Sequence, residues 1–249
     1  MCQIKKVLSI ATFFLCYHEN GDNMELKNGQ DDFGTENTYK LYRTVYEIIH
    51  PAISKKNISD YKIIIDENLI PLRIFYPKKI SKLTKTIIYV PGKTWIVNGV
   101  KNYTDVSTYL VKETDTIVIA IDYSLIDKTS YNDNITKCLN TINYLIEGLN
   151  RVGIENESIT VIGDSIGASI LSGVASQKEN KIPRLILLYP ALNLLFEDIE
   201  KYPSIDQNNK LDLLTLSHLR ILKDKCIEEK NYQSPLKIKN YETWPMTLI

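Results

Sequence analysis

The feature that most constrains this chain is a glycine-flanked serine, Gly163-Asp164-Ser165-Ile166-Gly167, between two apolar segments. Residues 158–162 are a β-branched run typical of a buried strand, and the small residues of 168–175 are typical of a buried helix. G-x-S-x-G in this context predicts a sharp turn that lifts the serine hydroxyl above the end of a sheet. Both glycines are needed because a larger side chain would collide with the neighbouring strand or helix. An ordinary strand-to-helix turn without chemistry is the alternative.

Length and charge narrow the classes of function. The chain has 249 residues, enough for one domain with a substantial core. Lys plus Arg and Asp plus Glu are both 30, which argues against a nucleic-acid partner. No metal-ligand spacing relates the cysteines, so we expect no metal site and no required disulfide. They are Cys2, Cys16, Cys138 and Cys226.

The N-terminus leaves two interpretations open. Lys5-Lys6 precede an apolar run over residues 7–17 and a polar stretch over 18–37, which is typical of a secretory signal, although no clean cleavage site follows. As a signal or anchor over residues 1–20, this segment would make the chain secretory, endoplasmic-reticulum or membrane-associated. As a disordered or packed segment it would leave the chain cytoplasmic. No apolar run is long enough to span a bilayer.

Apolar runs and amphipathic segments alternate along the middle of the chain. Strands are predicted over 61–66, 72–76, 86–90, 116–121, 158–162 and 184–188, and helices over 37–50, 103–112 and 135–149. The first two strands should form a hairpin, and Gly153 should cap the long helix. The alternation predicts an α/β fold with a mostly parallel, doubly wound sheet.

The later residues change character. The segment 193–230 is amphipathic and helical without strands, and we interpret it as a lid over the strand ends. Residues 245–249 are predicted to begin another buried strand. Ligands bind beyond the carboxyl ends of parallel strands, so three such ends should converge. These are Pro91 to Trp95, Asp122-Tyr123, and Ser165.

Several ordered motifs carry a family resemblance. They are Gly163-Asp164-Ser165-Ile166-Gly167-Ala168, Asp122-Tyr123-Ser124-Leu125, Tyr189-Pro190-Ala191-Leu192, Ser234-Pro235 and Trp244-Pro245-Met246-Thr247-Leu248-Ile249. Together they resemble the hormone-sensitive-lipase-like branch of the α/β-hydrolases, the fold-3 carboxylesterases that include steryl-acetate and arylacetamide deacetylases. The resemblance implies one α/β-hydrolase domain over 37–249, with a helical lid from 37–56 and 193–240 and a sheet incomplete at its C-terminal edge.

The resemblance also implies a site. Ser165 would be the catalytic nucleophile, with oxyanion contacts from Gly92, Lys93 and Ile166, and Trp95 and Tyr123 would line a substrate pocket. Reaction would proceed through an acyl-enzyme, with no cofactor and no metal. The ligand would be a small or lipidic acyl ester. The sequence does not predict an oligomeric state.

Two departures from the family pattern weaken the expected activity. The oxyanion loop reads Pro91-Gly92-Lys93-Thr94-Trp95 where the family has H-G-G-G-W. The family's acid and histidine follow the strand near Met246, and we expect both positions to be absent from a chain ending at Ile249. The histidines are His18, His50 and His218, of which only the last, in the lid, is a candidate base.

Three hypotheses therefore stay open. The first is a truncated or decayed carboxylic-ester hydrolase with little turnover. The second is a non-catalytic, ligand-binding pseudo-hydrolase. The third is a truncated chain without a stable fold, because an incomplete sheet would expose an apolar edge.

Overall fold

A computed structural model describes residues 58–65, 68–80, 84–92, 103–123, 131–193, 201–207, 234–238 and 241–249. Its strands are β1 (Ile58–Ile65), β2 (Asn68–Phe75), β3 (Thr86–Val90), β4 (Ile117–Ile121), β5 (Ile159–Asp164), β6 (Arg184–Leu188) and β7 (Met246–Leu248). Its α-helices are α1 (Thr104–Thr114), α2 (Tyr131–Arg151), α3 (Ser165–Ala175) and α4 (Pro203–Gln207), with 3₁₀ turns at Asn156–Ser158 and Pro235–Lys237. The predicted N-terminal signal, the helix over 37–50 and most of the lid lie outside the described residues. The domain and lid boundaries therefore stay predictions.

The described strands form one sheet in the order β1-β2-β4-β3-β5-β6-β7. The predicted hairpin is confirmed: β1 and β2 pair antiparallel from Ile58↔Phe75 to Ile65↔Asn68. β2 pairs antiparallel with β4, whereas the pairs from β4 through β3, β5 and β6 to β7 are parallel. The mostly parallel sheet that the alternating pattern predicts is therefore present.

Both faces of the central strands are buried, which explains their uninterrupted apolar sequences. In β3, Ile88 and Val90 belong to the core cluster that includes residues of α2 and α3, whereas Ile87 and Tyr89 belong to the cluster that includes residues of α1. Successive side chains of a strand point to opposite faces. Helices therefore cover both faces, as expected of a doubly wound sheet.

The long helix α2 ends as its sequence predicts. Gly153 has φ +86°, a conformation that favours glycine. Its N–H donates to the carbonyl of Asn150 at 3.0 Å, and the N–H of Ile154 donates to the carbonyl of Leu149 at 3.0 Å. These bonds satisfy carbonyls of the last helical turn.

The last strand corrects one prediction. Residues 246–248 do form a strand, which pairs with β6 through Arg184↔Met246 and Ile186↔Leu248. The strand is not buried, however, because Met246 is 76% exposed and Leu248 is 45% exposed. β7 is the outermost strand of the described sheet, so its side chains have a neighbouring strand on one side only.

Candidate active site

Ser165 occupies a strained turn between a strand and a helix. β5 ends at Asp164 and α3 begins at Ser165, with no residue between them. The φ of Ser165 is +50°, which is unfavourable for a residue with a side chain and is typical of functional sites. Ser165 is half-buried, whereas every other residue from 161 to 170 is buried. The turn therefore makes one hydroxyl accessible within an otherwise buried segment, as G-x-S-x-G predicts.

The glycines of this motif lie at close backbone contacts. A Cβ on Gly167 would lie 2.2 Å from the carbonyl oxygen of Val90 and 2.8 Å from that of Pro91. A Cβ on Gly163 would lie 2.9 Å from the backbone nitrogen of Ala168. Neither position has room for a side chain. The collision argument made from the sequence is confirmed at both glycines.

The strand ends that the sequence singles out converge at Ser165. A Cβ on Gly92 would lie 2.8 Å from the Cβ of Ser165, so the backbone after β3 passes directly beside the serine. The hydroxyl of Tyr123, after β4, donates to the carbonyl of Pro91 at 2.6 Å. The N–H of Ala191, after β6, donates to the carbonyl of Ser165 at 3.1 Å. Four neighbouring parallel strands thus contribute to one site.

Asp164 is a buried hydrogen-bond acceptor and is only 4% exposed. Its Oδ1 accepts from the hydroxyl of Tyr89 at 2.6 Å and from the N–H of Gly92 at 2.7 Å. Its Oδ2 accepts from the hydroxyl of Tyr189 at 3.3 Å. Burial raises the pKa of Asp164, and the hydrogen bonds from Tyr89, Gly92 and Tyr189 oppose that rise.

The two tyrosines respond to the same carboxylate. Burial, and next the negative charge of Asp164, raise the pKa of Tyr89 well above its ordinary value. The pKa of Tyr189 is also raised, first by burial of its hydroxyl end and then by Asp164, although 40% of the residue is exposed. Both phenols therefore stay protonated, and remain hydrogen-bond donors, over the pH range in which proteins are folded.

The first turn of α3 has N–H groups that find no acceptor within the helix. Asp164 stands at the N-cap position, but its side chain makes no capping hydrogen bond. Ile166 lies in this first turn and is buried. Its N–H is one of those that have no acceptor within a helix. It lies at the positive end of the helix dipole, directly after Ser165.

Several predicted site residues need a different description. The N–H of Gly92 is bonded to Asp164, so any contribution of Gly92 to an oxyanion site would come from the loop conformation and not from that N–H. Tyr123 is 1% exposed and its hydroxyl donates to the carbonyl of Pro91, so it supports the loop after β3, and its place in a substrate pocket stays a prediction. Lys93 and Trp95 lie outside the described residues, as do the three histidines.

Sequence reasoning missed Tyr89 and used Tyr189 only as part of a motif. Both are polar aromatic residues at the end of an apolar strand, which was the available signal. Among the described residues, no group of three or more His, Cys, Asp or Glu could hold a metal ion. Cys138 is buried and takes part in no disulfide among the described residues. The described helices include none with the length and apolar character required to cross a bilayer.

Comparison with known proteins agrees with this architecture. The human arylacetamide deacetylase-like 3 (Homo sapiens) is 28% identical over 156 residues, which are 60% of this chain and 38% of that protein. Arylacetamide deacetylase of Oryctolagus cuniculus is 25% identical over 194 residues, which are 74% of this chain and 47% of that protein. The chain thus spans less than half the length of either relative. The fold matches the hyperthermophilic esterase from Pyrobaculum calidifontis with a TM-score of 0.72 at 16% identity, covering 96% of this chain and 77% of that one.

The family match covers the sheet and the serine turn together. The sequence model of the family described as alpha/beta hydrolase fold matches residues 87–248, from β3 to β7. This range contains the serine turn, the loop after β3 and every parallel strand. The resemblance to hormone-sensitive-lipase-like carboxylesterases is confirmed, and the chain belongs to the α/β-hydrolase fold family.

Proposed function

We propose that this chain is a serine carboxylic-ester hydrolase for small or lipidic acyl esters, with Ser165 as its nucleophile. The observation that carries the proposal is the conformation of Ser165, which combines a positive φ with an accessible side chain between buried neighbours. Strain of this kind persists only where surrounding structure imposes it. Among the described residues, the Ser165 hydroxyl has no hydrogen-bond partner, so it is free to face an incoming carbonyl carbon.

The roles follow from the chemistry of acyl transfer. The Ser165 oxygen attacks the acyl carbon, the alcohol leaves, and water releases the acid from the acyl-enzyme. The N–H of Ile166 donates to the developing oxyanion from the first turn of α3. The N–H of Lys93 is the second proposed donor, since Lys93 directly follows Gly92, which packs against Ser165. Trp95 is the proposed pocket residue.

A base must take the serine proton. Within its sequence only His218 is a candidate, and it lies outside the described residues. Substitution of glycines by Lys93 and Thr94 in the oxyanion loop can remove a donor, which costs about 10²–10³. We therefore expect slow acylation of Ser165.

The test is covalent labelling by a fluorophosphonate probe, with the modified peptide identified by mass spectrometry. We expect labelling at Ser165 that is lost in Ser165→Ala. Ser176→Ala is the matched control, because it removes a hydroxyl from the C-terminal end of the same helix. Labelling that persists in Ser165→Ala, or a folded wild-type chain that never reacts, would contradict the proposal.

A second candidate function is non-catalytic ligand binding. It is favoured by Lys93 and Thr94, which replace glycines in the oxyanion loop. Titration calorimetry with an unreactive apolar ester tests it. Saturable binding without labelling of Ser165 would favour this candidate, whereas labelling with turnover would exclude it.

A further inference from the structure

One carboxylate connects three neighbouring strand ends. Asp164 is the last residue of β5, and it accepts from Tyr89 of β3, from Gly92 after β3, and from Tyr189 after β6. The hydroxyl of Tyr89 and the N–H of Gly92 both donate to Oδ1, and the hydroxyl of Tyr189 donates to Oδ2. The carboxylate therefore bonds to residues of the strands or strand ends on both sides of β5.

The environment of Asp164 is unusual for a charged group. Its partners are two hydroxyls and one backbone N–H, and within the described ranges it forms no salt bridge. Burying a carboxylate without a cation is unfavourable. The acid does not cap α3 either. Neither an ion pair nor a helix cap explains a carboxylate at this position, which leaves its contacts across the sheet.

The contact with Gly92 bears directly on the proposed oxyanion site. Gly92 is followed by Lys93, and Asp164 is followed by Ser165 and Ile166. The 2.7 Å bond between the Gly92 N–H and Asp164 therefore fixes the start of the loop after β3 relative to the nucleophile. The contact is close, because a Cβ on Gly92 would lie 2.5 Å from Oδ2 of Asp164.

We propose that Asp164 is a positioning residue, which accepts the Gly92 N–H and so aligns the oxyanion loop with Ser165. Tyr89 and Tyr189 hold the carboxylate in place from either side. This proposal rests on the proposed function, because an oxyanion site has meaning only if Ser165 attacks a carbonyl. Asp164 does not touch the substrate in this proposal. It acts through the loop.

Two substitutions separate hydrogen bonding from charge. In Asp164→Asn the amide oxygen can keep accepting from Tyr89 and Gly92, and the amide nitrogen can donate to the hydroxyl of Tyr189. In Asp164→Ala the acceptor is gone, and two buried donors lose their partner. We expect Asp164→Asn to keep most of the labelling rate of Ser165, and Asp164→Ala to lose about 10²-fold, the effect of losing one oxyanion donor.

The Gly92 amide gives a readout that does not depend on activity. Pro91-Gly92 is the single Pro-Gly pair in the sequence, which has ten glycines. Labelling with ¹³C-carbonyl proline and ¹⁵N-glycine therefore identifies the Gly92 amide by NMR. A carboxylate is a stronger acceptor than a neutral amide. We expect a downfield Gly92 proton in the wild type, an upfield move in Asp164→Asn, and a larger move in Asp164→Ala.

The possible results test the positioning role of Asp164 separately from the proposed function. A wild-type Gly92 proton at the chemical shift of a glycine amide without a hydrogen bond would overturn the positioning role, and this measurement stands even if Asp164→Ala fails to fold. A folded Asp164→Ala with the wild-type labelling rate would overturn it as well. A wild type that does not label would overturn the proposed function. The Gly92 signal would then report alone on whether Asp164 holds the loop.

Discussion

Replacing Gly167 by alanine tests the close packing of α3 against the end of β3. The new Cβ would lie 2.2 Å from the carbonyl oxygen of Val90 and 2.8 Å from both the carbonyl carbon and oxygen of Pro91. Non-bonded contacts between such atoms are roughly 3.5 Å long. The backbones of α3 and of the end of β3 must therefore separate by roughly 1 Å or more. All three atoms belong to backbone and cannot rotate away.

Overpacking of this kind lowers the free energy of unfolding by about 1–3 kcal/mol, and contact with backbone favours the upper half of that range. We expect a loss of about 2–3 kcal/mol for Gly167→Ala. At about 2–4 °C per kcal/mol this corresponds to a Tm lower by roughly 4–12 °C. Labelling of Ser165 should slow as well, because the separation displaces Pro91 and the loop that follows it.

Gly148→Ala is the matched control. Gly148 lies within α2, and a Cβ there would meet nothing within 4 Å. Alanine is favoured over glycine in a helix by about 0.5–1 kcal/mol, so this variant should be more stable than the wild type. Urea unfolding of all three chains measures both effects. A Gly167→Ala variant within about 0.5 kcal/mol of the wild type would refute the packing argument, because that is the range of neutral surface changes.

Three further perturbations have defined outcomes. Burial raises the pKa of Asp164 above its ordinary 3.8. The ionised carboxylate therefore lowers the free energy of unfolding at neutral pH. This effect is lost as the pH falls through the raised pKa toward 3.8. Urea unfolding should therefore show Asp164→Asn most stable relative to wild type near neutral pH, and a difference that grows in acid would contradict this. Gly153→Ala places a side chain at φ +86° and should cost about 1–2 kcal/mol in the same assay, whereas an unchanged midpoint would refute the cap. Lys181 lowers the pKa of Glu147, first through their hydrogen bond and then through charge. In Lys181→Met the carboxyl pKa, followed by ¹³C NMR, should rise toward 4.5, and no change would exclude the pair.

The strands could be predicted from the sequence where a local pattern of residues specifies them. The bounds of β3 and β6 match their apolar runs because strands buried on both faces have continuous apolar sequence. The start of β2 was predicted four residues late, at Leu72. Pro71 lies inside this strand opposite Lys62, and proline ordinarily marks a strand boundary. Pro71 has no N–H, but its carbonyl accepts from the N–H of Asp122 at 2.8 Å. Its one backbone polar group is therefore hydrogen-bonded within the fold.

The candidate site likewise has one feature that a local motif predicts and others that depend on the order of the strands. The turn at Ser165 is specified by five consecutive residues, so the motif alone predicts it. The bond between Tyr89 and Asp164 joins residues 75 positions apart, and it follows from strand order, which no local pattern contains. The exposure of Met246 is likewise a property of position at the sheet edge and not of composition.

The wide sequence separation within the Asp164 cluster has a kinetic consequence. The bonds from Tyr89 and Gly92 close chain segments of 75 and 72 residues, and closing such segments makes folding slow. The serine turn therefore reaches its strained geometry only when the central parallel strands have assembled. In a refolding experiment, reactivity of Ser165 should recover after helical circular dichroism, in step with the last native contacts. The reactivity of the Ser165 hydroxyl would therefore report when folding is complete.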